Sequence, residues 1–122
     1  MLDFPKIQIS INDVVFLKNP ESSKLGKKIL QESIDLIYKL GFDGFTFGKL
    51  AKQIGSPEAS IYRYFESKHK LLLYLSSWYW TWLEYKVVFA TVNVQDAKEQ
   101  LARAIEVISK KTNKMFLIIC LC

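Results

Sequence analysis

Between Thr46 and Phe65 the chain sets two short stretches of helical periodicity on either side of a single glycine. In the first, Phe47, Leu50, Ala51 and Ile54 recur at three- to four-residue spacing, which gathers them on one face of a helix over Phe47–Ile54. Thr46 supplies its N-cap, because the hydroxyl can accept a hydrogen bond from a free backbone N–H of the next turn. Gly55 ends it, since glycine takes positive φ without steric cost. Ser56-Pro57 predicts the next entry, with Ser as N-cap and Pro at the first helical position, where its missing N–H costs nothing. That second helix is expected over Pro57–Phe65, with Ile61 and Phe65 facing inward. Ala51 is small enough to let the two helices approach, and Ile61 plugs the corner. Two short helices joined by a glycine turn make a helix-turn-helix.

The flanking sequence is helical too. Leu25, Ile29, Ile34, Ile37 and Leu40, with Leu30, Leu36 and Tyr38 beside them, predict a helix from Ser23 to Leu40 with a broad apolar face. Gly41 supplies its stop, and Phe42-Asp43-Gly44-Phe45 a tight connection. Ser67 caps a long aromatic helix from Lys68 to about Phe89. Asn93 or Asp96 caps a fifth, through Leu101, Ala104, Ile105 and Ile108 to about Asn113. Upstream, Ile7, Ile9 and Ile11 alternate with Gln8 and Ser10, a period of two that suggests a short strand or extended arm. The expected fold is all-α: a three-helix bundle containing the helix-turn-helix, then a long aromatic helix and a partial C-terminal helical domain. The expected division is an N-terminal arm over 1–22, the helix-turn-helix domain over 23–83 and the partial C-terminal domain over 84–122.

Composition narrows the function classes. A chain of 122 residues, 50% hydrophobic and 14% aromatic, has the length of one domain and ample material for a core. Its longest apolar run, Met115–Cys122, is far short of the roughly 20 residues that span a bilayer, and MLDFPKIQIS has no signal-peptide character. The two cysteines, Cys120 and Cys122, close no useful loop, so a reducing, cytoplasmic setting is expected. Two Cys and one His leave no zinc-site spacing, and no phosphate-loop, dinucleotide, zinc-protease or nucleophile-elbow motif occurs. Neither a cofactor nor an enzyme activity is expected.

Binding is what the residues do suggest. With Ile61 turned inward, the opposite side of the second short helix displays Glu58, Ala59, Ser60, Tyr62, Arg63 and Tyr64, a face that can enter the major groove of DNA. Residues 24–70 carry nine basic and five acidic side chains, against an overall +5. That bias suits a polyanion, although lysines on a solvated helical face would give the same count.

A family resemblance sharpens this. Phe45-Thr46-Phe47-Gly48-Lys49-Leu50-Ala51 followed by Gly55-Ser56-Pro57-Glu58-Ala59-Ser60-Ile61-Tyr62-Arg63-Tyr64-Phe65-Glu66-Ser67-Lys68-His69-Lys70-Leu71 resembles the DNA-binding domain of the tetracycline-repressor (TetR/AcrR) family over about Lys24–Leu72. The resemblance implies a dimeric transcriptional regulator, usually a repressor. Its N-terminal helices would bind a palindromic double-stranded operator, and its C-terminal helices would form the homodimer and hold a small-molecule inducer. It also implies that Tyr62, Lys68 and Thr46 contact phosphates, with Lys49 beside them, and that Glu58, Ala59, Ser60 and Arg63 lie where bases are read. The expected DNA-binding set is therefore Thr46, Phe47, Gly48, Lys49, Pro57, Glu58, Ala59, Ser60, Tyr62, Arg63, Tyr64 and Lys68.

The departures are specific. Phe47 stands where the family usually has a second hydroxyl, so one phosphate contact is missing. Ser56-Pro57 replaces Val-Ser, which moves the expected cap one position earlier. Glu58 is acidic beside DNA and would either accept from a cytosine amine or repel phosphates. Only Arg63 has the guanine-reading fork.

Other features have plainer readings. Trp78, Trp82, Tyr85 and Phe89 form one stripe on the aromatic helix, read as a packing face with a ligand-pocket wall as the sharper alternative; Tyr74 lies further up the same helix. Tyr79 and Trp80 fall off the stripe and would need a partner surface. His69 is expected in solvent near the DNA backbone, and Lys110, Lys111 and Lys114 suit a helix C-terminus. The apolar run at the end reads as the mark of a truncated regulator. The rival reading is a helical protein-interaction module that has lost DNA binding.

Overall fold

The computed structural model describes residues 15–109. These residues fold as helices with no strand among them: α1 Lys24–Gly44, α2 Phe47–Ile54, α3 Glu58–Tyr62, α4 Lys68–Thr91 and α5 Ala97–Ser109, preceded by one 3-10 turn at Pro20–Ser22. The all-α expectation holds. The strand or arm expected at Ile7–Ile11, the lysines from 110 onward, the end of the fifth helix at Asn113 and the terminal apolar run lie outside the described residues.

Local chemistry sets most boundaries. Ser23 Oγ accepts from Gly26 N–H, Thr46 Oγ1 from Lys49 N–H and Ser67 Oγ from Lys70 N–H, so three helices start on hydroxyl caps. At the start of α5, Asp96 is the residue that engages: its Oδ1 accepts from Lys98 N–H and its carbonyl from Gln100 N–H. Helical geometry in α1 breaks at Gly41 (φ 76°, ψ 163°), and Phe45 N–H closes the following turn on Phe42 O. Gly55 takes the left-handed conformation (φ 71°, ψ 33°) that ends α2.

The third helix departs from expectation. Pro57 has extended angles (φ −62°, ψ 145°) and stands at the N-cap itself, with no side-chain cap. Ser56 is one residue too far upstream to cap Glu58, and its own N–H is tied back to Ala51 O. The helix also stops at Tyr62: Tyr64 N–H and Phe65 N–H both return to Ile61 O, and the Tyr64 carbonyl beyond it accepts Leu17 N–H at 2.7 Å.

The core lies where α1, α2, α3 and α4 converge. Ile29, Leu30, Ile34 and Ile37 meet Leu50, Ala51 and Ile54, with Ile61 between them and Phe45, Phe65, Leu71, Tyr74, Leu75 and Trp78 closing the other side. Each fully buried aliphatic or aromatic side chain stabilises the fold by about 1.5–3 kcal/mol relative to exposure. Tyr38 and Leu40, expected on this face, are half exposed, since the bundle ends before the last turn of α1.

Residues 16–23 lie along this bundle. Phe16 meets the Tyr74 ring edge-on at 5.8 Å, and Ser23 Oγ shares a 2.6 Å hydrogen bond with the Tyr64 hydroxyl. Glu21 accepts from Trp78 Nε1 at 3.2 Å and from the Tyr74 hydroxyl. Pro20 is buried against α1, where Gly26 leaves room: a Cβ there would stand 2.6 Å from the Pro20 Cα.

The buried residues of α4 end at Leu83. Trp78 and Trp82 stack at 6.4 Å as the packing reading requires, but Tyr85 and Phe89 leave the core and are exposed, stacked on each other. Tyr79 corrects the other half of that expectation: it is buried among its own chain's side chains, 5.8 Å from the Trp82 ring, while Trp80 is exposed. α5 packs along α4 with Val107 against the core, and its Leu101, Ile105 and Ile108 face solvent.

Candidate nucleic-acid interface

The turn at Gly55 and the buried Ile61 together fix which side of α3 faces out. Ile61 has no exposed surface, so Pro57, Glu58, Ala59, Tyr62 and Arg63 are exposed around it and Ser60 is half exposed. The Arg63 side chain is exposed and makes no hydrogen bond or ion pair among the described residues, so its guanidinium is available to a ligand. Beside this face stands the N-terminus of α2. Thr46 is exposed; its oxygen caps Lys49 N–H at 3.2 Å, which leaves the hydroxyl proton as a donor. The N–H groups of Phe47 and Gly48 have no intrahelical acceptor, as in any first turn, and the helix dipole adds partial positive charge.

Two aromatic residues join these parts. Phe47 is 5% exposed and packs edge-on against the Tyr62 ring at 5.0 Å. Phe47 is thus part of the core and not of the binding surface, a correction with a simple cause: α2 turns its apolar side, Phe47 included, into the bundle. Its ring supports Tyr62, which stays about half exposed (47%). Tyr64 is the second correction. At 3% exposure it belongs to the core, drawn inward by Ser23 and crossed by Lys18, whose Nζ lies 5.2 Å from the ring centroid.

Glu58 lies next to the first turn of α2, since a Cβ built on Gly48 would stand 3.6 Å from Glu58 Oε2 and 3.9 Å from Thr46 Oγ1. A carboxylate at a helix N-terminus is favourable, and it occupies the neighbourhood an incoming phosphate would need. Lys49 Nζ donates to Gly44 O at 2.8 Å while remaining exposed. Lys68 is only part-exposed; its Nζ donates to Phe42 O at 2.9 Å and Phe45 O at 3.0 Å and sits 4.7 Å above the Phe42 ring. His69 is exposed and meets the same ring edge-on at 5.3 Å.

The structure therefore leaves Thr46, Lys49, Pro57, Glu58, Ala59, Tyr62 and Arg63 exposed and Gly48, Ser60 and Lys68 part-exposed, brings Glu58 beside Thr46 and Gly48, and takes Phe47 and Tyr64 into the core. Sequence reasoning missed Ser23, Leu17 and Glu21, which hold this unit from outside it. No local pattern marks these long-range contacts, because the partners lie 41 to 57 positions away. No group of acidic, His or Cys side chains suited to a metal occurs among the described residues, and no helix of the described residues is long and apolar enough to cross a membrane.

Residues 29–75, from the first buried turn of α1 through the helix-turn-helix into α4, match the family model described as bacterial regulatory proteins, tetR family. Comparison with curated proteins and with solved structures gives no match.

Proposed function

We propose that this chain, whose residues 29–75 match the model of the tetR family of bacterial regulatory proteins, is a DNA-binding regulator of that family and represses transcription by binding a palindromic operator as a homodimer. The observation that carries the reading is the open outer side of α3, with Tyr62 and Arg63 exposed next to the capped N-terminus of α2. Arg63 reads a guanine through its fork, Ser60 reads a neighbouring base edge, and Thr46, Tyr62 and Lys49 set the register on phosphates, while the Glu58 carboxylate opposes the phosphate next to α2.

Dimerisation is supported by the far end of the molecule. Phe89, Val92, Leu101 and Ile105 are each more than half exposed, an apolar surface of the kind a second copy buries. A small-molecule inducer would bind among the C-terminal helices, in keeping with the aromatic side chains of α4.

The same exposed apolar side chains favour a second reading, docking onto a protein partner without DNA. A salt titration separates the two. Binding through several phosphates makes log K fall steeply with log salt, by about 0.9 per phosphate neutralised. Measured with fluorescent random-sequence duplex, a steep negative slope supports the DNA reading. Absence of binding at low salt, or a flat dependence, would reject it in favour of the docking reading.

A further inference from the structure

Lys68 has a role that the exposed face does not reveal. It is the first residue of α4, yet its ammonium reaches back across 26 and 23 positions to two carbonyls, one in the last turn of α1 and one in the connection to α2. Those carbonyls belong to Phe42 and Phe45. Phe42 O already accepts Phe45 N–H at 3.2 Å, so the Lys68 ammonium fastens a turn that is itself closed. A second cation works on the same turn, because Lys49 Nζ holds Gly44 O at 2.8 Å. The residue after Phe45 is Thr46, the cap of α2. Phe45 is fully buried, so the clamp fixes Thr46 from its immediate N-terminal side.

We propose that Lys68 is a positioning residue: it fixes the Phe42–Phe45 turn, and thereby the Thr46 hydroxyl and the α2 N-terminus, and does not itself neutralise a phosphate. This rests on the DNA-binding reading above. Two of its three N–H donors are committed at 2.9 and 3.0 Å, and the cation lies against an aromatic face. A phosphate that took either committed N–H would leave a carbonyl without that donor. Charge-assisted bonds to carbonyls that end a helix are among the stronger neutral–ion contacts, so the clamp holds as DNA arrives.

The two roles differ in what salt sees. A direct phosphate contact releases counterions, so its loss flattens the salt slope by about 0.9. Thr46 is neutral, so loosening it weakens binding without changing the slope. The test uses the full chain with Lys68→Met. In the free protein, amide hydrogen exchange at Lys49, whose N–H is held by Thr46 Oγ1, is expected to rise about tenfold. On fluorescent random-sequence duplex, Kd is expected to rise about three- to tenfold with the slope unchanged. In a Thr46→Val background Lys68→Met is expected to add little, since the group it positions is gone.

A slope that falls by about one, an unchanged Lys49 exchange rate, or full additivity with Thr46→Val would each overturn the proposal. Lys68→Leu, which likewise has no donor, gives the same readouts should Lys68→Met not fold. The exchange measurement needs no DNA, so a failure of the DNA-binding reading shows as absent binding while Lys49 exchange still decides the clamp.

Discussion

The indole Nε1 of Trp78 donates to Glu21 Oε1 at 3.2 Å, joining the turn ahead of α1 to the middle of α4 across 57 positions of sequence. The Tyr74 hydroxyl bonds the same carboxylate. Glu21 thus ties the 16–23 segment to the bundle at a point outside the matched family segment. Replacing it removes an acceptor from two largely buried donors, and hydrogen bonds to a charged group are each worth about 1.5–3 kcal/mol. Glu21→Ala is expected to lower stability by about 1–3 kcal/mol in urea titration, and Glu21→Gln by less. A loss under about 0.5 kcal/mol would show that the segment does not brace the fold.

The same contact sets an alkaline limit. Burial, the neighbouring Glu21 charge and the hydrogen bond to it hold the Tyr74 phenol well above the ordinary tyrosine range. The neutral phenol is the form the fold favours. Its contribution is fully present below the unfolded value of about 10 and is lost as pH rises through and beyond it. Stability is expected to fall above about pH 10. In Tyr74→Phe, less stable at neutral pH for want of the hydroxyl, that fall is expected to be shallower. Equal slopes in the two proteins would locate the alkaline sensitivity elsewhere.

Two glycines should respond in opposite ways. A Cβ at Gly26 would overlap the backbone of Pro20, which cannot move aside without detaching the turn it belongs to. Gly26→Ala is expected to cost about 1–3 kcal/mol, as overpacking does. At Gly48 the nearest atoms would stand at 3.6 and 3.9 Å, ordinary contact, and the helix gains from losing a glycine. Gly48→Ala is expected to stabilise by up to about 1 kcal/mol. Thermal or urea unfolding of both checks this, and equal effects at the two positions would refute the packing account.

Glu58 places a negative charge beside the first turn of α2, where the account sets a phosphate. Removing it is expected to tighten binding to random-sequence duplex about two- to fivefold at low salt, with less effect at high salt where charges are screened. Weaker binding by Glu58→Gln to every duplex would mean that the carboxylate supports the interface instead of opposing it.

Much of the fold is written locally. Ser23, Thr46 and Ser67 announce helix starts, and Gly41 and Gly55 announce stops, because capping and positive φ are decided within a few residues. What sequence could not show is set by distant partners. Tyr64 sits among displayed residues in any helical reading, but its carbonyl accepts from Leu17 and its hydroxyl meets Ser23, both distant in sequence, and it lies buried. Phe47 follows its apolar spacing into the core, which outweighs the register that put it in the binding set. Ser56 fails as a cap because Pro57 takes extended angles itself. Lys68 looks like any exposed lysine at a helix start until the carbonyls of Phe42 and Phe45 are brought to it.

Whether the outer side of α3 reads operator sequence is decided by selecting bound sites from random duplex DNA with the parent chain and with Arg63→Ala. The parent is expected to enrich a two-fold symmetric site. Arg63→Ala is expected to lose preference at one base pair per half-site, a penalty of about 1–3 kcal/mol there, while holding the rest of the motif. No enriched site with the parent chain, or the same motif at every position from both proteins, would contradict that role.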